Sequence, residues 1–290
     1  MTTSGPFTGA GVTALGLAAA RAVETGRSDR LVEDPYAREL FVAAGMALPM
    51  RLEWPRPGEP VTTTEALHLH GSRYIGLRTR VYDDELRDAT AAGVEQVVLL
   101  GAGLDTRAYR LALAPAARVF ELDRAPLLAW KRNALTATPR VRVIDVGVDL
   151  RTDWSRRLLD VGFDPAVPCV VVAEGLLAYL DEAGQRDLLE RISNLAAPGS
   201  RLALDLLVGD PRGGDRLLRL SQRAGIDMDA LIAPSGAADP GRVLAARGWE
   251  VDVEPVSAAA ARYGRDLGDP FRGAAGEPPW LETVFLRARR

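Results

Sequence analysis

Residues 96–107 read Gln-Val-Val-Leu-Leu-Gly-Ala-Gly-Leu-Asp-Thr-Arg, and they constrain the fold more than any other stretch. The apolar run Val97 to Leu100 enters Gly101-x-Gly103 directly, and Asp105 follows two residues later. A run of that length closed by glycine reads as a strand buried on both faces of a parallel sheet. The glycines let the backbone turn sharply and let a ligand approach where a Cβ would otherwise stand. This is where an open α/β sheet binds an adenosine-containing cofactor.

The rest of the chain fits such a sheet. Apolar runs at Val97–Leu100, Arg118–Leu122, Arg140–Ile144, Cys169–Ala173 and Arg201–Leu207 alternate with helical stretches. That rhythm predicts parallel strands with helices on both faces. Trp249–Val256 and Thr283–Arg289 read as two last strands, joined closely enough to close antiparallel, with a helix over Gly241–Arg247 before them. Ahead of the sheet, residues 1 to about 12 read as a mobile leader. Thr13 is placed to cap a helix over Ala14–Glu24, and further helices are expected over Tyr36–Ala44 and Glu65–Ala91, with a Pro- and Gly-rich loop at 49–64 between them. The expected organisation is a helical cap over 1–92 and a ligand-binding domain over 93–290. Residues 209–239, Gly- and Asp-rich with one amphipathic piece at Arg216–Arg223, interrupt that domain as a lid.

Composition narrows the function. The net charge of −3 makes a nucleic-acid backbone an unfavourable partner. No apolar segment approaches the roughly 20 residues of a membrane span, and no basic region followed by an apolar core stands at the N-terminus, so a cytoplasmic location is expected. The single cysteine, Cys169, excludes an intramolecular disulfide and a Cys-based zinc site, and its apolar setting reads as a buried thiol. The single lysine, Lys131, among many arginines reads as codon bias.

Acidic residues at the strand ends carry the chemistry. A nicotinamide dinucleotide fingerprint would place a third glycine at 106, and here Thr106 stands there. That argues for a ligand without a pyrophosphate and against an oxidoreductase. Asp123 closes the second strand about 20 residues past the glycines, where an acid accepts both ribose hydroxyls. Its competing role is to cap the helix that Arg124-Ala-Pro126 begins; Glu121 lies on the same strand face, further back. Asp149, after the third strand, could accept an adenine amino group, with Leu150 packing on the ring. Glu174 ends the fourth strand, and a carboxylate there is costly without a charged or hydrogen-bonding partner. A cationic ligand group would be such a partner, and the ammonium of S-adenosylmethionine is one.

Four ordered motifs then share a resemblance. Leu100-Gly-Ala-Gly-Leu-Asp-Thr-Arg107, Glu121-Leu-Asp123, Val148-Asp-Leu-Arg151 and Glu174-Gly-Leu-Leu-x-Tyr-Leu180 resemble the leucine carboxyl methyltransferase family. The narrower likeness is to its bacterial branch of S-adenosylmethionine-dependent O-methyltransferases, which includes carboxyl methyltransferases of natural-product pathways. Ala20-Arg-Ala-Val-Glu24, Asp34-Pro-Tyr-Ala37 and Arg78-Thr-Arg80 are similar to that group's leader motifs. The resemblance implies a class I methyltransferase fold: a Rossmann-like α/β sheet of seven strands with the last antiparallel. It implies S-adenosyl-L-methionine as cofactor, with Gly101 and Gly103 lining it, Asp123 on the ribose, and Asp149 and Leu150 at the adenine. Arg78 matches the arginine that reaches the methionine carboxylate, with Arg80, a register shift of two away, the alternative for that role, and Arg21 matches a basic position near the same end.

A carboxylate acceptor is already ionised at neutral pH and requires no general base, whereas a phenol, with a pKa near 10, usually wants a base or a metal. His68 and His70, the only histidines, are the weak candidates for a base. Their i,i+2 spacing on a helix is poor for joint metal binding, and no metal is expected. The expected reaction is therefore methylation of a carboxylate on a small molecule or peptide C-terminus. The alternatives are methylation of a polyketide-like phenol and a non-catalytic cofactor-binding protein.

Overall fold

The computed structural model describes residues 6–7, 10–48, 50–208, 239–268 and 282–290. Seven strands form one sheet in the order β3-β2-β1-β4-β5-β7-β6. They are β1 (Gln96–Leu100), β2 (Arg118–Asp123), β3 (Arg142–Gly147), β4 (Cys169–Ala173), β5 (Arg201–Val208), β6 (Glu250–Pro255) and β7 (Glu282–Arg289). β1 to β5 pair in parallel, and β7 lies antiparallel between β5 and β6. The alternating pattern pointed to the α/β sheet with its parallel strands, and the family resemblance implied seven strands with the last one antiparallel; the sheet has both features.

Both faces are covered, so β1 and β4 are buried along their whole length. Side-chain alternation divides β1 between two cores. Val97 and Leu99 join Leu15, Leu77 and Tyr82 of the N-terminal helices, while Val98 and Leu100 join Trp154, Leu188 and Ile192 on the other side. The three N-terminal helices, α1 (Ala10–Thr25), α2 (Pro35–Ala43) and α3 (Thr63–Ala91), thus share the sheet's own core. Local chemistry sets their ends. Asp34 caps α2 through the Tyr36 and Ala37 N–H groups with Pro35 in the first turn, and Thr62 with Glu65 forms a capping box on α3. Among the described residues no helix is long and apolar enough to cross a membrane.

The sequence reading differs from the structure in several places, among them a helix over Val256–Arg262 between the last two strands where only a connection was expected. α1 begins at Ala10, so residues 10–12 are helical and Thr13 lies inside the helix, where its hydroxyl meets that of Tyr179 at 3.1 Å. Ahead of the helix, the Phe7 ring packs edge-on against Trp130 with centroids 4.6 Å apart. β3 begins at Arg142, because the Arg140 N–H is taken by the Ala108 carbonyl at 2.8 Å, and it continues to Gly147 opposite Asp123. α3 begins two residues earlier than expected, where the Thr62 cap places it. The lid expected at 209–239, with its Arg216–Arg223 piece, falls outside the described residues apart from Asp239, which caps a helix over Pro240–Ala245.

The sheet order reverses at β1, with β2 on one side and β4 on the other. In an open α/β sheet the crevice outside the carboxyl ends at such a switch point is the ligand site.

Candidate active site

At that crevice lies a cavity of about 540 Å³. Its floor is the turn after β1, where Gly101 (φ +68°) and Gly103 (φ +48°) occupy the left-handed region. A Cβ on Gly101 would stand 3.4 Å from Leu176 Cδ1, and one on Gly103 3.4 Å from Ala14 Cβ, so the turn is packed as well as strained for other residues.

Asp123, at the end of β2, accepts the Gly103 N–H at 2.7 Å and the Arg124 N–H at 2.7 Å. It therefore fastens the glycine turn, which leads into α4 (Arg107–Arg110), rather than capping α5 (Ala125–Ala134), which has no side-chain cap. Leu150 lies on the cavity wall near Gly101. Asp149 also lines the cavity, and Arg151 engages both its oxygens and holds its carboxyl down at about 2.

The charged wall is built from α1, α3, α4 and the end of β4. Glu174 lies 2.9 Å from Arg78 Nε and 2.7 Å from Arg107 Nη1. Its expected cationic partner is thus supplied by the chain itself. Burial pushes the Glu174 carboxyl up, but the two guanidinium charges outweigh it and hold it below the ordinary value. Asp105, buried against Arg107 and Lys131, is likewise held low despite its burial. Arg107 also donates to Asp83 at 2.8 Å, which binds Arg110 as well. Arg21 reaches Asp34 at 2.8 Å and the Leu104 carbonyl at 2.7 Å, tying α1 to the glycine turn. Thr106, read only as a missing glycine, donates to the same Asp34 at 2.8 Å.

Arg21, Arg78, Gly101, Gly103, Asp123, Asp149, Leu150 and Glu174 all line the one cavity. Arg80 lies away from it, paired with Asp84 on the outer side of α3. His68 meets the Arg51 carbonyl at 3.0 Å, and His70 packs against Gly268; neither lines the cavity. Glu121 is fully buried behind β2 against Lys131 at 2.8 Å. Sequence reasoning gave no role to Arg107, although it ends the first motif, nor to Asp205, an acid within the apolar run from Leu202 to Leu207.

Comparison with known proteins decides the family. The family model for leucine carboxyl methyltransferase matches residues 14–193. A protein of Saccharopolyspora erythraea named "Putative S-adenosyl-L-methionine-dependent methyltransferase" is 41% identical over 276 residues, 93% of this chain and 94% of its own length. One of the same description from Streptomyces coelicolor is 39% identical, over 91% of this chain and 89% of its own. The chain belongs to the leucine carboxyl methyltransferase family. In fold it is also similar to the crystal structure of a protein from Thermobifida fusca named "putative methyltransferase", with a TM-score of 0.52, 21% identity, and coverage of 93% and 94% of the two chains.

The cofactor of this family member is S-adenosyl-L-methionine, and the chain is a methyltransferase. The cavity fits it. The floor leaves out the Cβ atoms that would intrude, acids end the strands on either side of β1, and Arg21 and Arg78 line the same space.

Proposed function

We propose that this methyltransferase transfers the methyl group to the oxygen of a carboxylate, on a small molecule or a peptide C-terminus. The carrying observation is the state of the acids in the cavity. Glu174 and Asp105 are held ionised by buried guanidinium groups, and Asp149 by Arg151. A carboxyl held below its ordinary value is a poor proton acceptor near neutral pH. His68, whose pKa burial lowers, is engaged outside the lining. A nucleophile that arrives already ionised suits such a site, and proximity, orientation and exclusion of water then supply the rate.

Bound in the cavity, S-adenosylmethionine supplies an electrophilic methyl group on a sulfonium. In this reading the chain's residues position both partners. Asp123 retains lone pairs for the ribose hydroxyls beyond the two backbone N–H groups it accepts. Leu150 and Asp149 stand at the adenine end, and Asp149 shares its carboxylate with Arg151. Glu174 stands at the methionine end with Arg78, whose remaining N–H groups face a carboxylate, while Arg21 adds positive charge nearby. Val172, Leu176 and Leu180 keep water from the reacting end.

The pH dependence of turnover under saturating donor tests this. For a carboxylate acceptor the rate stays flat from about pH 6 to 9. A tenfold rise per unit over that range would point instead to a phenol that must lose its proton.

A further inference from the structure

Asp205 lies on β5, near its carboxyl end, and is only 7% exposed. A buried carboxylate persists only where charged or hydrogen-bonding partners surround it. Three meet it here. The Tyr82 hydroxyl donates to Oδ1 at 2.7 Å, the Gly175 N–H donates to the same oxygen at 2.7 Å, and Arg78 Nη1 stands 3.6 Å from Oδ2. One side chain thus joins α3, through Tyr82 and Arg78, to the turn that follows Glu174. Burial, together with the facing Asp205 and Glu174 charges, keeps the Tyr82 hydroxyl protonated and so a donor.

Beside the Tyr74 ring, 5.7 Å from its centroid, Arg78 is aimed by two carboxylates. Glu174 takes Nε at 2.9 Å, and Asp205 draws Nη1. The turn closes against it: a Cβ on Gly175 would stand 3.0 Å from Nη1, at a backbone φ of +62°. A guanidinium held on two edges presents its remaining edge in one direction, which a single carboxylate does not enforce.

We propose that Asp205 is a positioning residue for the methyl-donor site, holding the Arg78 guanidinium and the Gly175 turn in the one arrangement that receives the carboxylate of the donor's methionine end. This rests on the reading that Arg78 serves that end. Asp205 touches no ligand; it acts through Arg78. Asp205→Asn keeps an oxygen for Tyr82 and Gly175 but removes the charge that draws Nη1. Its effect therefore falls on ligands that carry the amino-acid moiety and spares those that lack it.

The test is calorimetric titration of the folded protein with S-adenosylmethionine and with 5′-methylthioadenosine, which has the adenosine and thioether but no amino acid. Asp205→Asn is expected to weaken S-adenosylmethionine about tenfold, the scale of one lost hydrogen bond to a charged group, while 5′-methylthioadenosine binds as to the parent. Equal loss for both ligands, or none for either, overturns the proposal. Should Asp205→Asn not fold, Tyr82→Phe carries the same comparison, with a selective loss of about threefold expected from freeing one tether and an equal loss contradicting it. Arg78→Lys separates the two layers. If it too fails to discriminate between the ligands, the assignment of Arg78 is wrong; if it discriminates and the Asp205 and Tyr82 variants do not, only the role of Asp205 falls.

Discussion

Asp123 and Glu174 show how far single residues could be read in advance. Their places at strand ends beside a glycine turn follow from chain spacing, and the structure brings both into the cavity. Their partners do not follow from spacing. Glu174 is met by Arg78, 96 residues earlier, and by Arg107 at the start of α4. Pairings across such separations depend on how helices lie over the sheet, which no local pattern encodes. Asp123→Ala is expected to weaken S-adenosylmethionine by about 1–3 kcal/mol, the cost of leaving buried hydroxyl donors unpaired; unchanged affinity by calorimetry would refute the ribose role. Glu174→Gln leaves two buried guanidinium groups short of a counter-charge and should cost at least about 3 kcal/mol of stability at neutral pH. The folded pKa of Glu174 lies below its unfolded value of 4.5. Its contribution is therefore complete above about pH 4.5 and is lost as pH falls through the folded value. Thermal melts of parent and variant should converge as pH falls from 7 to about 3, and a constant gap would contradict the pairing.

At the scale of elements, the strands were legible because burial on both faces leaves near-continuous apolar runs. β3 was misplaced by two to three residues because it is an edge strand whose side chains are largely half-buried or exposed, so its pattern is weak. α1 was legible as a helix but not as a wall of the site. Gly11, Ala14, Leu17 and Arg21 recur at helical spacing on the face that lines the cavity, and Thr13 reaches Tyr179 beyond β4. Small residues there read as weak packing until the opposing surface is known. Gly11 allows the closest approach: a Cβ there would stand 2.8 Å from the Pro6 carbonyl oxygen and 2.9 Å from Arg124 Nη2. Gly11→Val should displace the segment before α1, making it more sensitive to limited proteolysis and raising the donor's dissociation rate. Parent-like cleavage and kinetics would show that the close approach is dispensable.

For the whole molecule, the chain's one lysine and one cysteine are both internal. Lys131 is 0% exposed between Glu121 and the Asp105 carbonyl, and Cys169 is 0% exposed, its thiol pushed up to about 11 by burial. The lysine read as a trace of codon usage is in the structure the counter-charge of a buried glutamate. Amine and thiol reagents should label these two side chains only at denaturant concentrations that unfold the protein, followed by peptide mass spectrometry. Labelling in native buffer would contradict the buried arrangement. Glu121 works against Glu174 in pH dependence. Burial raises its carboxyl above 4.5 despite Lys131 and Arg132, so the folded state binds the extra proton and stability falls as pH rises through that window. Glu121→Gln should flatten that fall.

The central claim is that a donor site whose acids are already committed methylates carboxylates. It can be tested before the acceptor is known. The protein is incubated with S-adenosylmethionine labelled in the transferred methyl group and a mixture of small carboxylic acids, phenols and peptides, and the labelled products are treated with mild alkali. Release of the label as volatile methanol is the expected result, because methyl esters hydrolyse where methyl ethers do not. Label that enters products but stays fixed through alkali would contradict carboxylate methylation.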